Sequence, residues 1–415
     1  MAPAVLEETE INIRARSPEA IANVVQELDR IKAVKEDYLV PAANIQFAVV
    51  DDRVVADVKL SDGAWVPPVR YELSRTAHTG IAAKFDVSAR YARRMRAEAP
   101  DLLATNLNYW ASRDNRRFLV RTLDGKVRAF LSDRYRIVDT SLLFYNGYEK
   151  IKAMEGSIIG LDLTEDSFYM RMTIGGWEEK IDRAKVLTRE LSRSADHGSL
   201  FDGADDKGGI KYSPVDAHIK TLAGQHENMA LREGGYRDDT LVPFLVIRNS
   251  ETGLGSVGVE GGCMRPYCLN CAIVGEQFLK AHLGPRHDYN GILSNATVNA
   301  ENEALFGSVR DIITATLDRD KFKTLVQQFG TADSLKLANP TAAVERVVDE
   351  FDLSPDIKQS IYNELISEGD DTVFGLVQAV TATARDFTSP DAAIALERIG
   401  GQVLERAPQL VEIRR

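Results

Sequence analysis

Apolar residues recur at three- and four-residue spacing near the start of the chain, from Ile21 to Ile31. Behind the start signal Ser17-Pro18, this spacing predicts an amphipathic helix over residues 18–37 with one apolar side. The same spacing predicts further helices over residues 74–84, 88–97 and 214–229.

The clearest turn signal in the chain is Asp124-Gly125, because Asp-Gly tolerates the positive backbone dihedrals that a tight hairpin needs. Strand-forming residues flank it from Arg117 to Leu131, so a β-hairpin is predicted there. Residues 192–212 contain few apolar side chains, which predicts an exposed loop. Other strands are predicted over residues 46–50, 53–60, 158–163, 167–174 and 241–247.

After Val274 the pattern is helical almost to the end, with interruptions at Pro340, Pro355 and Pro390. The whole pattern predicts an α+β fold, in which antiparallel β-hairpins pack with helices and a mostly α-helical C-terminal domain follows. With 415 residues, the chain is too long for one ordinary core. We therefore predict a helix and hairpin over residues 1–69, an α+β core over residues 70–298, and an acidic helical domain over residues 299–415.

The formal net charge is −11, but the charges are unevenly distributed. Residues 70–136 contain 15 Lys and Arg against 7 Asp and Glu, whereas residues 301–415 contain 12 against 20. The overall negative field excludes indiscriminate binding of polyanions, because it repels phosphate. The local basic segment instead favours one defined nucleic-acid surface.

Arginines and aromatic residues occur together in this basic segment. Arginines neutralise phosphates and aromatic rings stack on bases, which is the combination that single-stranded nucleic acid requires. Strand alternation would also place Arg128, Arg134 and Arg136 on one sheet face. The plain alternative is a solvated basic face without a ligand. The predicted nucleic-acid-binding residues are Arg90, Arg93, Arg94, Arg113, Arg116, Arg117, Arg121, Arg128, Arg134, Arg136, Tyr109 and Trp110.

The three cysteines, Cys263, Cys268 and Cys271, fall within nine positions, and the last two have the spacing of zinc-binding thiolates. A fourth ligand would come from a histidine such as His287. Against this interpretation, free cysteines are commonly buried as small apolar side chains. We expect no cofactor, with zinc as the alternative.

The same cysteines cannot form a disulfide framework, which is typical of a reducing compartment. The amino terminus carries Glu7, Glu8 and Glu10 where a signal peptide would need a positive region and an apolar stretch. No run of about 18 apolar residues occurs. These features predict a cytoplasmic protein that does not enter a membrane.

Several motifs resemble one family. They are Arg128-Ala-Phe-Leu-Ser-Asp-Arg-Tyr135, Asn249-Ser-Glu-Thr-Gly253, Arg265, Cys268-x-Asn270 and His287, with Phe85–Tyr91, Asn106–Trp110 and Val373–Thr381. As an ordered set over residues 70–385, they are similar to the phage- and plasmid-associated proteins grouped as domain of unknown function 932. The chain departs from the family pattern at Cys271, where the family usually has glycine. Any zinc site would therefore be a local feature of this chain.

The resemblance implies a component of a mobile-element replication or recombination module in the cytoplasm of a bacterial host. At the level of architecture, the family resembles Rad- and Red-beta-type strand-annealing proteins, which need neither a nucleotide cofactor nor a catalytic triad. The resulting expectation is a homo-oligomeric protein that binds single-stranded DNA and is not an enzyme. Two alternatives stay open: a metal-dependent enzyme acting on nucleic acid or nucleotides, and a non-catalytic regulator of a host protein.

Overall fold

The computed structural model describes residues 11–60, 67–135, 137–181, 240–266, 270–274 and 295–411. Two sheets, each packed against helices, precede a helical C-terminal region, which confirms the predicted α+β class. The predicted loop at 192–212 and the predicted helix at 214–229 lie outside the described residues.

The elements follow in chain order. The helices are α1 (Pro18–Val34), α2 (Arg75–Lys84), α3 (Ala89–Glu98), α4 (Pro100–Ala111), α5 (Thr140–Ala153), α6 (Asn295–Thr316), α7 (Arg319–Ser334), α8 (Pro340–Glu350), α9 (Pro355–Glu368), α10 (Val373–Thr383), α11 (Pro390–Glu405) and α12 (Ala407–Val411). The strands are β1 (Asn12–Ala15), β2 (Glu36–Pro41), β3 (Ile45–Val50), β4 (Arg53–Val58), β5 (Val69–Leu73), β6 (Arg117–Leu123), β7 (Lys126–Ser132), β8 (Gly156–Thr164), β9 (Phe168–Ile174), β10 (Glu179–Lys180), β11 (Thr240–Asn249), β12 (Gly258–Arg265) and β13 (Asn270–Ile273).

The N-terminal sheet has the order β2-β6-β7-β5-β4-β3, and its strands are antiparallel except for the parallel pair β5 and β7. Its central hairpin is the predicted one: Asp124 and Gly125 both have positive φ, at 49° and 78°, as a tight two-residue turn requires. Helices α2 and α4 cover one face of this sheet, where Phe118 and Phe130 lie in the core.

A β-bulge interrupts the β6–β7 hairpin. Arg121 pairs with Ala129 and Thr122 pairs with Val127, so Arg128 is the extra residue on β7. Bulges redirect side chains relative to strict alternation. Arg128 therefore reaches Glu251, which Arg121 also contacts, on the side of the sheet away from Phe118.

The central sheet has the order β1-β8-β9-β11-β12-β13, and β10 pairs with the end of β11. Its strands β9 and β11 are almost wholly buried, since helices lie on both faces. Helices α1, α5 and α6 cover one face around Met170 and Leu245. Helix α11 covers the other face, where Ile394 packs on Phe244.

Helix α11 also closes a buried ion network on the central sheet. Arg171 on β9 contacts Asp162 on β8 at 3.1 Å and Glu397 on α11 at 2.6 Å, and all three are buried. Arg16 contacts the same Asp162 at 2.8 Å. The network thus ties the C-terminal region to the sheet through paired charges.

The prolines that interrupt the C-terminal pattern begin helices. Helices α8, α9 and α11 begin with Pro340, Pro355 and Pro390, respectively. Each proline follows a capping residue whose side chain accepts a backbone hydrogen bond. The boundaries expected after residues 69 and 298 fall inside β5 and α6. Helix α6 shares a hydrophobic core with the central sheet. The spacing of apolar residues alone does not reveal this shared core.

No helix within the described ranges has both the length and the apolar composition that crossing a bilayer requires.

Candidate nucleic-acid interface

Helix α3 carries the exposed arginines of the basic segment. Arg90, Arg93 and Arg94 are exposed, and α3 buries none of its residues fully. Arg94 forms an ion pair with Glu98 at 2.8 Å, one helical turn away. Within the described part of the chain, Arg90 and Arg93 have no carboxylate partner. Their charges are therefore available to a ligand.

The end of α4 presents two aromatic rings. Tyr109 and Trp110 are 51% and 46% exposed, and their rings meet edge to face with centroids 5.1 Å apart. Helix α4 directs Leu103 and Leu107 into the core, so the rings are held on a rigid element rather than on a loop. Rings of this size on a rigid support suit stacking on bases.

Helix α4 is also fixed to the edge of the N-terminal sheet. The side-chain amide of Asn108 donates to the Phe47 carbonyl and accepts from the Phe47 backbone N–H, both at 2.7 Å. Phe47 lies on β3, the edge strand, whose free backbone groups would otherwise need another partner. This anchor sets the position of the neighbouring Tyr109 and Trp110.

The segment after α4 adds three arginines in different states. The guanidinium of Arg113 lies over the Tyr109 ring, 3.7 Å from its centroid, and donates to the Tyr109 carbonyl. Arg116 pairs with Asp114 at 2.7 Å and lowers the pKa of that carboxyl. Arg117, at the start of β6, is exposed and has no ion pair in the described ranges. We call α3, the end of α4 and residues 112–117 the basic surface. Arg117 ends this surface, and its side chain starts on the face of the N-terminal sheet opposite to the face that α4 covers.

Arg134 is exposed as well, in the turn that follows β7, and Arg136 lies outside the described residues. The predicted sheet face shared by Arg128, Arg134 and Arg136 is therefore not described as a whole.

Two of the predicted residues are buried, which corrects the prediction for them. Arg121 is 1% exposed and contacts Asp37 at 2.7 Å. Arg128 is buried and contacts Glu251 at 3.3 Å. Because protein carboxylates already neutralise both guanidinium groups, neither contributes to the basic surface.

Glu251 is the centre of this buried cluster. Its carboxylate accepts from Lys35 Nζ at 3.1 Å and from the Thr140 backbone N–H at 2.7 Å, in addition to Arg128. Arg121 lies 3.6 Å from the same carboxylate and donates to the Glu251 carbonyl at 2.6 Å. Burial alone would raise the pKa of Glu251, but Lys35, Arg121 and Arg128 together lower it to about 2. We call these groups the Glu251 cluster.

The cluster brings together two of the motifs that carry the family resemblance, those at residues 128–135 and 249–253. Asn249, at the end of β11, donates to the Val138 carbonyl at 2.9 Å, and the Tyr135 hydroxyl donates to the Ser250 carbonyl at 3.1 Å. Gly253 has a φ of 87°, and a Cβ there would lie 2.5 Å from Leu131. The motif at 249–253 thus joins the central sheet to the β6–β7 hairpin. Sequence reasoning missed this junction, although a Glu two residues after a buried strand was a usable signal.

The structure describes two cysteines of the predicted metal site and does not bring them together. Cys263 on β12 lies opposite Ala272 on β13, while Cys271 lies opposite Met264. Opposed residues share a sheet face and successive residues alternate, so the two thiols point to opposite faces. Accordingly, Cys263 packs with the C-terminal helices and Cys271 packs under α11. Cys268 and His287 lie outside the described residues.

Comparisons with protein-family models, with curated proteins and with solved structures gave no match for this chain. The resemblance to domain of unknown function 932 therefore stays a prediction.

Proposed function

We propose that this protein binds single-stranded DNA through the basic surface, as an accessory protein of strand annealing, recombination or replication in a phage or plasmid. One observation carries the proposal: Arg90, Arg93 and Arg117 are exposed and unpaired in the described part of an otherwise acidic protein. By contrast, Arg94 and Arg116 have carboxylate partners, and Arg113 lies over the Tyr109 ring.

The chemistry of the surface supports a single strand as the ligand. Arginines at the surface neutralise backbone phosphates, and Tyr109 and Trp110 offer faces on which bases stack. A strand held in this way needs no nucleotide cofactor. The expected setting, the cytoplasm of a bacterial host, and the expected homo-oligomer belong to the same proposal.

The test is binding of a fluorescent oligothymidine, followed by anisotropy at two salt concentrations. Arg90→Glu with Arg117→Glu should weaken binding strongly at low salt, because repulsion replaces attraction at two phosphates. The slope of log affinity against log salt concentration should also become less negative, by about 0.7 for each phosphate that the variant no longer neutralises. Because both residues are exposed, the variant should remain folded.

A matched control removes equal charge elsewhere. Arg319→Glu with Lys323→Glu alters two exposed cations of α7 and should leave the salt slope unchanged. If the two double variants weaken binding equally, the proposed surface is wrong. A wild-type protein that retains no single strand at low salt would remove the function altogether.

A further inference from the structure

A small pocket opens between α2, α3 and α4, beside the basic surface. Its mouth is basic and its floor is apolar. It is lined by Arg75, His78, Thr79, Ala82, Ala89, Ala92, Arg93, Arg96, Leu103 and Leu107. We call it the arginine pocket.

Across the residues that the structure describes, the cations and the imidazole of the arginine pocket have no carboxylate beside them. None of its lining residues is an Asp or Glu. Arg75, Arg93 and Arg96 make no ion pair within the described ranges, and the His78 ring makes no hydrogen bond there. Burial, with the charge of Arg96, lowers the pKa of His78 to about 3, so its ring is neutral near pH 7 and offers one N–H donor.

Size decides which anion the pocket suits. Its volume is about 80 Å³. Pockets for whole drug-sized ligands have roughly 300–1,000 Å³, so a complete nucleotide would not fit inside. Several waters fit such a space, and so does one tetrahedral oxyanion that replaces them. The rest of a larger ligand would lie outside, on the side where Trp110 follows Leu107 by one helical turn.

We propose that the arginine pocket holds a phosphate group of the bound strand. The proposal rests on the function proposed above and deepens it, since it assigns one phosphate of the strand to a specific binding site. Three guanidinium groups match the fork geometry of phosphate oxygens, and His78 adds a single donor. The phosphate has two sources, a strand terminus or the backbone. A terminal phosphate carries a charge of about −1.5 to −2 near neutral pH, more than a backbone phosphodiester carries.

The test follows the imidazole signals of His78 by NMR at pH 7. The full chain is titrated with inorganic phosphate and with three single strands of one composition: 5′-phosphorylated, 5′-hydroxyl and circular. The pocket variant is Arg75→Ala with Arg96→Ala. Its charge-matched control is Arg319→Ala with Lys323→Ala, which alters two exposed cations of α7 that lie outside both the pocket and the basic surface.

We expect phosphate and DNA to shift the His78 signals in wild type and in the control, and not in the pocket variant. For a terminal phosphate, the 5′-phosphorylated strand should bind about tenfold more tightly than the 5′-hydroxyl strand, and the pocket variant should abolish that ratio. For a backbone phosphate, the circular strand should shift His78 equally well.

Unchanged His78 signals on a protein that does bind DNA would overturn the pocket and leave the proposed function standing. The opposite result is also distinguishable. If no DNA binds but inorganic phosphate shifts the His78 signals in wild type and in the control and not in the pocket variant, the proposed function fails and the pocket remains an anion site.

Discussion

Arg117 and Arg121 lie four residues apart on β6, and the fold gives them opposite environments. Residues at even spacing on a strand share a face, so both side chains start on the same side of the N-terminal sheet. At the hairpin end, residues 249–253 cover that face, and Arg121 is buried against Asp37 and Glu251. At the other end, Arg117 is exposed without a partner in the described ranges.

The difference shows that the role of an arginine depends on distant parts of the chain. A guanidinium stabilises the fold where those parts place a carboxylate beside it, and it stays available to a ligand where they do not. Arg121 meets a residue 130 positions away in the chain, and its charge is used for assembling the two sheets. Arg117, like Arg90 and Arg93, keeps a charge that the described protein does not use. The basic segment thus contains two populations of arginine, one that holds the fold together and one that is available to a ligand.

Stability provides the largest expected contrast. Arg121→Ala leaves the Glu251 carboxylate and Asp37 without one of their cations, and should lower the free energy of unfolding by roughly 3–5 kcal/mol. Arg117→Ala removes an exposed side chain and should change that free energy by less than about 0.5 kcal/mol. Urea denaturation of both variants measures the difference. Equal losses would show that the two arginines do not differ as described.

The second contrast depends on pH. Glu251 has a folded-state pKa of about 2 against an ordinary value of 4.5, so the unfolded chain takes up this proton first as the pH falls. The stabilisation by Glu251 is therefore complete above pH 4.5 and is lost as the pH falls toward 2, by roughly 3 kcal/mol in all.

The matching variant is Glu251→Gln, which cannot titrate. This variant should have a lower free energy of unfolding than wild type at pH 7. The difference between the two free energies should become smaller as the pH falls from 4.5 to 2. Urea denaturation curves taken at each pH measure it. A difference that stays constant over this range would mean that Glu251 does not titrate as described.

Local patterns were sufficient for much of the fold. Asp124-Gly125 identified the hairpin because the turn chemistry depends on neighbouring residues only. The spacing from Ile21 to Ile31 identified α1 for the same reason. Helix α4 was missed, since no helix was predicted between residues 97 and 117, although proline is well suited to the first position of a helix and Pro100 begins α4.

The environment of each functional side chain was harder to predict. Burial of Arg128 depends on a bulge and on Glu251, which is 123 positions away in the chain. The opposite orientation of Cys263 and Cys271 depends on the register of β12 with β13, which cysteine spacing does not reveal. Exposure of Tyr109 and Trp110 likewise follows from which side of α4 packs on the sheet.

The smallest effect concerns the rings beside the free arginines. Trp110→Ala should leave stability nearly unchanged, because the ring is about half exposed. If a base stacks on it, the affinity for oligothymidine should fall by roughly 1–3 kcal/mol. Stacking releases no counterions, so this loss should be the same at low and high salt, whereas the loss in Arg90→Glu with Arg117→Glu should shrink as salt rises.

Tyr148→Ala is the control, since Tyr148 is a similarly exposed ring on α5, outside the basic surface. Anisotropy titrations at two salt concentrations separate the two contributions. A Trp110 loss that shrinks with salt in parallel with the arginine loss would mean that the ring acts through the neighbouring charges. In that case the arginines alone would hold the strand, and its bases would remain away from α4.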